Sequence, residues 1–182
     1  MAPAPRTDKQ LIDAYLRGDQ DAFTELYERY RRPLFRYLNQ MMPGQTATVD
    51  DLFQKTWLKA IDGLSRYQDR QTFFAWLVRI GRNNAIDHFR QAAQRENVEI
   101  DETRLATDRP IPWRQLNSRE LGRAIEQAVG TLPPEQKEVF LMRQQDVPFK
   151  DIAEIQGCPL NTVLGRMHYA VTRLREILKD WR

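Results

Sequence analysis

One cysteine, Cys158, and two histidines are all the thiol and imidazole metal ligands that 182 residues supply. A single thiol rules out an intrachain disulfide, and no paired Cys/His spacing of a structural zinc site occurs. No metal or other cofactor is expected. Long apolar runs are also missing: no stretch reaches the ~20 residues that a membrane span requires. The short Ala/Pro-rich opening at 1–5 has no apolar segment behind it, unlike a secretory signal. These features predict a cytoplasmic protein without membrane insertion. Glycine is scarce at 8 residues, and no glycine-rich loop that could cradle a phosphate is present. Nor is there a large charge excess: the net charge is +3, so a surface for polyanions must arise from local clusters of Lys and Arg. The best catalytic candidates are Asp87 beside His88, with Asp50 and Asp51 elsewhere. Neighbouring helix positions point about 100° apart, so this set forms no site and the chain is predicted not to be an enzyme.

What the chain does have is helical periodicity. Apolar residues recur at three- and four-residue steps in four segments of the first half. The first covers about 8–17 and stops at Gly18. The second starts near Asp21 and carries Phe23, Leu26, Tyr27, Tyr30, Leu34 and Leu38. Pro43 and Gly44 break the pattern, and Thr48 with Asp51 resembles a starting cap for a third helix that offers Leu52, Phe53, Leu58 and Ile61 and ends near Gly63. After a polar turn at 66–71, a fourth helix from Phe73 to about Ala92 has Leu77, Ile80 and Phe89 for burial. Trp57 and Trp76, flanked by apolar residues, suit a core or a protein interface better than DNA stacking.

Between 94 and 116 the periodicity gives way to charges and Pro110 and Pro112, the composition of a linker. Fully extended, it could reach roughly 70 Å at ~3.3–3.6 Å per residue, so the halves need not touch. Helical spacing returns at Ser118 and stops at Gly130. A helix then opens on two prolines, where a missing amide costs least, and carries Val139, Phe140 and Met142. A short helix over about 149–156 meets Gly157, and a final helix begins at Asn161 or Thr162. The expected fold is all-α: two small helical domains, 1–93 and 117–182, joined by a flexible linker over 94–116, the second containing a helix-turn-helix.

Two faces fit nucleic acid. On the last helix Val163, Met167, Ala170, Leu174, Ile177 and Trp181 share one side for packing, while Asn161, Thr162, Leu164, Gly165, Arg166, His168, Tyr169 and Arg173 are available to DNA, as in a recognition helix lying in the major groove. On the fourth helix Arg79, Arg82, Asn83, Asp87 and Arg90 form one polar stripe. Asn83 could read a base edge there, and the preceding turn, Tyr67, Gln68, Asp69, Arg70 and Gln71, could hold an unstacked base.

Several blocks, in order, resemble the extracytoplasmic-function sigma factors, the small group of the sigma-70 family. They are DAFTELYERYRRPLFRYL at 21–38, DDLFQKTWLKA at 50–60, FFAWLVRIGRNNAIDHFR at 73–90, and LPPEQKEVFLMR at 132–143 followed by DIAEIQGCP at 151–159. The resemblance implies sigma domains two and four, with promoter-specific initiation by RNA polymerase as the function. A helix-turn-helix regulator that does not bind polymerase accounts for the second half but not for the blocks in the first. By similarity, Asp51, Phe53, Gln54, Trp57 and Lys59 dock on the coiled coil of the polymerase beta-prime subunit, and the beta flap is a further contact. The segment 66–90 melts the minus-ten element and captures a flipped base in the turn 67–71. The final helix reads the minus-thirty-five element, and an anti-sigma factor is an implied partner. The sequence departs from the family pattern at Leu164, Tyr169 and Val171, where relatives are commonly basic, at Gly165, commonly small and polar, and at Pro148, commonly a capping Ser or Thr. These departures predict fewer phosphate contacts by the last helix.

Overall fold

The computed structural model describes residues 5–69, 72–96 and 118–179. Eight helices, a single 3-10 turn and no strand occur among the described residues: α1 Asp8–Leu16, α2 Gln20–Met41, α3 Thr46–Gly63, α4 Phe73–Glu96, α5 Ser118–Gly130, α6 Pro134–Arg143, α7 Phe149–Gln156 and α8 Leu160–Ile177, with the turn at Leu64–Arg66. The all-α expectation and the eight segments hold. The expected linker lies outside the described residues except for 94–96, where α4 continues past the predicted end.

Local chemistry sets the helix ends. A capping box opens α1, with Thr7 Oγ1 accepting from Gln10 N–H and Gln10 Oε1 accepting from Thr7 N–H. Asp19 caps α2 by accepting from Ala22 N–H at 3.1 Å. Gly157 ends α7 in the left-handed region, φ 64°, where a Cβ would be strained. The start of α3 differs from the sequence reading: it opens at Thr46 without a side-chain cap, and Thr48 and Asp51 lie inside it. The Pro43–Gly44 break ends α2 early enough for the next helix to form at once and bury Val49.

In the N-terminal bundle α2, α3 and α4 pack on one another and α1 crosses α2. Leu11, Leu26, Leu34, Leu38, Leu77 and Val78 are its fully buried centre. Arg29 pins α1 by donating to Asp8 at 2.6 Å, and Arg6 pairs with Glu25 at 2.7 Å. In the C-terminal bundle α5, α6 and α7 gather around α8, and Leu132, Val139, Met142, Ile152, Val163 and Ala170 are buried.

The long linker leaves contact between the halves optional, and the structure brings them together. Helix α6 packs on α2, and α7 packs on α4. Tyr37 of α2 donates to Glu138 of α6 at 2.9 Å across 101 residues of chain.

Candidate polymerase and nucleic-acid interfaces

The outer face of α3 is a contiguous stripe. Asp51, Gln54, Lys55 and Leu58 are exposed at steps of three and four residues, which places them on one side of the helix. Leu58 is 64% exposed; the sequence pattern put it among the residues for burial, because apolar spacing alone does not say which of two nearby faces points inward. Trp57, read from the sequence as a core or interface residue, lies beneath this face. It is 5% exposed, with ring centroids 4.9 Å from Tyr27, 6.0 Å from Phe23 and 6.5 Å from Phe53. It therefore braces the face from beneath, with little of its ring open to solvent. Phe53 is half-buried and meets Phe35 at 5.7 Å. Exposed Lys59 donates to Asn84 Oδ1 at 2.6 Å, and Asn84, fully buried, donates on to Thr56 at 3.2 Å. Lys59 thus ties α3 to α4.

Before α4 the chain turns through Tyr67, Gln68 and Asp69. Arg70 and Gln71 lie outside the described residues. Tyr67 rests edge-on against Phe73 at 5.6 Å and Trp76 at 5.2 Å. Burial, then the nearby charge of Asp69, pushes its phenol above the ordinary tyrosine value, so it stays protonated at neutral pH. Gly63 makes room for this cluster: a Cβ there would stand 3.0 Å from Cζ2 of Trp76. Gly63→Ala should displace the Trp76 ring and Tyr67 with it, costing about 1–3 kcal/mol through overpacking. By contrast, Gly122→Ala, where a Cβ meets nothing within 4 Å, should stabilise by about 0.5–1 kcal/mol through helix propensity. Urea midpoints of the two variants check both signs, and equal shifts would show that the Gly63 site has slack.

Along α4, Thr72 Oγ1 accepts from Ala75 N–H at 3.2 Å and caps the first turn. Asn83, Asp87 and Arg90 are exposed, whereas Arg79 and Arg82 are half-buried. Both arginines face the C-terminal bundle: Arg82 Nε donates to Glu138 at 2.8 Å, and Arg79 lies 3.5 Å from Glu154. The polar stripe read from the sequence is therefore split between solvent and an internal contact.

Helices α7 and α8, joined by Gly157, Cys158 and Pro159, form the helix-turn-helix. On α8 Asn161, Thr162, Leu164, His168, Tyr169 and Arg173 are exposed, and Gly165 is half-buried. Arg166 is half-buried and occupied: Nη1 donates to Gln156 Oε1 at 2.7 Å and lies 3.4 Å from Cys158 Sγ, so it fastens the turn to the helix. Pro148 precedes α7 without a side-chain cap. No group of three or more metal-ligating side chains and no helix long and apolar enough to cross a membrane occurs among the described residues.

Two family models match in succession, sigma-70 region 2 over residues 26–95 and sigma-70 region 4 over 122–174. Together they account for α2–α4 and for the helix-turn-helix bundle. The chain belongs to the extracytoplasmic-function sigma factors of the sigma-70 family. Among its curated relatives, the ECF RNA polymerase sigma-E factor of Haemophilus influenzae is 27% identical over 186 residues, covering 96% of this chain and 94% of that protein. The fold is similar to that of CnrH, solved in complex with the cytosolic domain of CnrY, with a TM-score of 0.64 and 26% identity over 95% of this chain and 97% of that one. It is also similar to that of the sigma factor RpoE of Bartonella quintana, solved with the anti-sigma factor NepR, with a TM-score of 0.66 and 22% identity over 88% and 98% of the two chains. This sigma factor directs promoter-specific transcription initiation by RNA polymerase.

Proposed function

We propose a division of that role among three surfaces. The α3 stripe around Asp51, Gln54 and Leu58, braced by Phe53 and Trp57 and tied by Lys59, docks on the beta-prime coiled coil of the core enzyme. The turn 67–71 and the α4 residues Arg79, Arg82, Asn83, Asp87 and Arg90 hold and read the minus-ten element. Helix α8 reads the minus-thirty-five element, with the beta flap contacting the C-terminal bundle. The sigma factor acts by binding rather than by catalysis and needs no cofactor. The observation that carries this reading is the exposed, mixed polar and apolar stripe on α3 within the region 2 match, which a simple helix-turn-helix regulator would lack. Residues 1–93 and 117–182 are the corresponding domains two and four. The similar sigma factor of Bartonella quintana was solved bound to an anti-sigma factor, so such a protein is a fitting partner here, and the cytoplasm is where core polymerase would be met.

Capture of a flipped base fits the turn physically. Unstacking costs a few kcal/mol, which a pocket with backbone contacts offsets, and Tyr67 is held in place by Phe73 and Trp76. On α8 the exposed apolar Leu164 and Tyr169 leave Arg173 as a phosphate contact, so upstream binding is expected to depend weakly on salt, at a log–log slope of about −0.9 per phosphate. The test is initiation from a randomised promoter library. Asn83→Ala should change preference at one minus-ten position, and Arg173→Ala should weaken upstream binding more evenly across sequences. If Arg173→Ala alone alters the minus-ten preference, the two surfaces are assigned the wrong way round.

A further inference from the structure

The first three turns of α8 carry no free Lys or Arg. From Leu160 to Ala170 the one such residue is Arg166, whose Nη1 donates to Gln156 Oε1 at 2.7 Å and lies 3.4 Å from Cys158 Sγ. What stands exposed instead is Leu160 at 45%, Leu164 at 42% and Tyr169 at 64%, beside the polar Asn161, Thr162 and His168. Leu160 and Leu164 are four residues apart, so they form one ridge along the helix. Asn161, Gly165 and His168 follow the same steps on the adjoining strip, and a Cβ at Gly165 meets nothing within 4 Å. The strip therefore has a gap at its middle, which lets the helix backbone come close to whatever it lies against. Exposed cations return only on the later turns and just beyond them, with Arg173, Arg175 and Lys179.

That order, uncharged first and basic afterwards, fits duplex DNA with the start of the helix on base edges and its end near phosphates. In the major groove the O6 and N7 of guanine suit Arg or Lys, the N6 and N7 of adenine suit Asn or Gln, and the C5-methyl of thymine suits an apolar side chain. Helix α8 has no free group for the first, Asn161 for the second and the leucine ridge for the third. We propose that Leu164 is a specificity-determining residue that packs on a thymine C5-methyl of the upstream element. This sigma factor thus selects thymine at a position where Arg or Lys in place of Leu164 would select guanine. Leu164 carries the contact rather than Leu160 because it lies a full turn into the helix and borders Gly165, whereas Leu160 opens the helix behind Pro159. Packing leucine on a methyl group removes apolar surface of both from water. A protein partner matches this face less well: an apolar interface would leave the polar groups of Asn161, Thr162 and His168 unpaired, at a cost, whereas base edges pair them. This inference rests on the assignment of α8 to the minus-thirty-five element.

The experiment uses holoenzyme, core polymerase with the full chain. Selection from the randomised promoter library gives the preferred upstream element, and in the strongest selected fragment each upstream thymine is replaced in turn by deoxyuridine, which lacks only the C5-methyl. At one position the replacement should weaken holoenzyme binding about threefold to fivefold, the effect of one buried methyl group. In Leu164→Ala holoenzyme the same replacement should have no further effect, because the two changes remove opposite sides of one contact. Leu164→Arg should move the selected base at that position to guanine. Both substitutions fall on an exposed side chain and should leave the fold intact, which a thermal melt checks. No deoxyuridine effect at any upstream position, or equal losses in the parent and Leu164→Ala holoenzymes, would overturn the role of Leu164 while leaving α8 as the upstream reader. A selected library without any upstream preference would overturn both. If Leu164→Ala weakens binding to core polymerase and leaves base preference intact, the ridge is a protein contact and the inference fails.

Discussion

Leu58→Asp should lower affinity for core RNA polymerase by about thirty-fold or more, as expected when an interface anchor worth roughly 2 kcal/mol is lost. The fold itself should be nearly untouched, because Leu58 is 64% exposed on the outside of α3 and surface substitutions usually stay within about 0.5 kcal/mol. An exposed leucine flanked by Asp51, Gln54 and Lys55 contributes nothing to the core. On the proposed docking face it would be covered by the core enzyme, and a carboxylate at that place would have to be desolvated on docking. Competition binding against labelled core enzyme, paired with a thermal melt, reads both quantities. A variant that melts normally and binds normally would remove α3 from the interface.

Trp57→Ala should do the reverse and cost about 3–5 kcal/mol of folding stability, the range for deleting a large buried aromatic side chain. The ring sits at 5% exposure among Phe23, Tyr27 and Phe53, so truncation opens a cavity lined by aromatics from α2 and α3. Against a typical total stability of about 5–15 kcal/mol, much of the fold would be lost at physiological temperature. Polymerase binding would fall only as a consequence. Trp57→Phe should cost far less, since it keeps most of the packing and removes an indole Nε1 that is buried without a hydrogen-bond partner. Urea denaturation of both variants measures the difference. Equal destabilisation would mean that the indole N–H, rather than the ring volume, matters at this position.

The contrast between Trp57 and Leu58 also marks where sequence reading succeeds. The eight helices were legible because apolar residues recur at three- and four-residue steps along each, and some of their ends carry local chemistry, as at Gly157 with φ 64°. The two faces of α8 were legible for a similar reason, because Val163, Ala170 and Leu174 mark a single buried stripe. On α3 the apolar residues Leu52, Phe53, Trp57, Leu58 and Ile61 spread over more than one face, and periodicity could not tell Trp57 from its neighbour. The start of α3 was misplaced because a capping pattern at Thr48 and Asp51 looks the same inside a helix as at its beginning.

The partnership of the two bundles was beyond reach of any local pattern. Tyr37 and Glu138 lie 101 residues apart, and each sits in a segment that reads as an ordinary amphipathic helix. A glutamate on α6 among Lys137, Val139 and Arg143 has the look of a solvated side chain. Only the packing of α6 on α2 and of α7 on α4 buries it and draws Arg82 toward it. In the same way Arg79, Arg82 and Asn83 form one stripe in sequence, but folding leaves only Asn83 of the three exposed. Burial of Tyr37 and the charge of Glu138 hold its phenol well above the ordinary tyrosine value, so at neutral pH it remains a donor to the carboxylate.

The most direct measurement of the central claim is transcription from fragmented genomic DNA of the source organism by purified core RNA polymerase, with and without this chain, followed by sequencing of RNA 5′ ends. As a sigma factor, it should produce a set of start sites absent from core alone, with shared elements near minus ten and minus thirty-five upstream of them. A folded chain that binds core enzyme or DNA but leaves the pattern of starts unchanged would contradict its role in initiation.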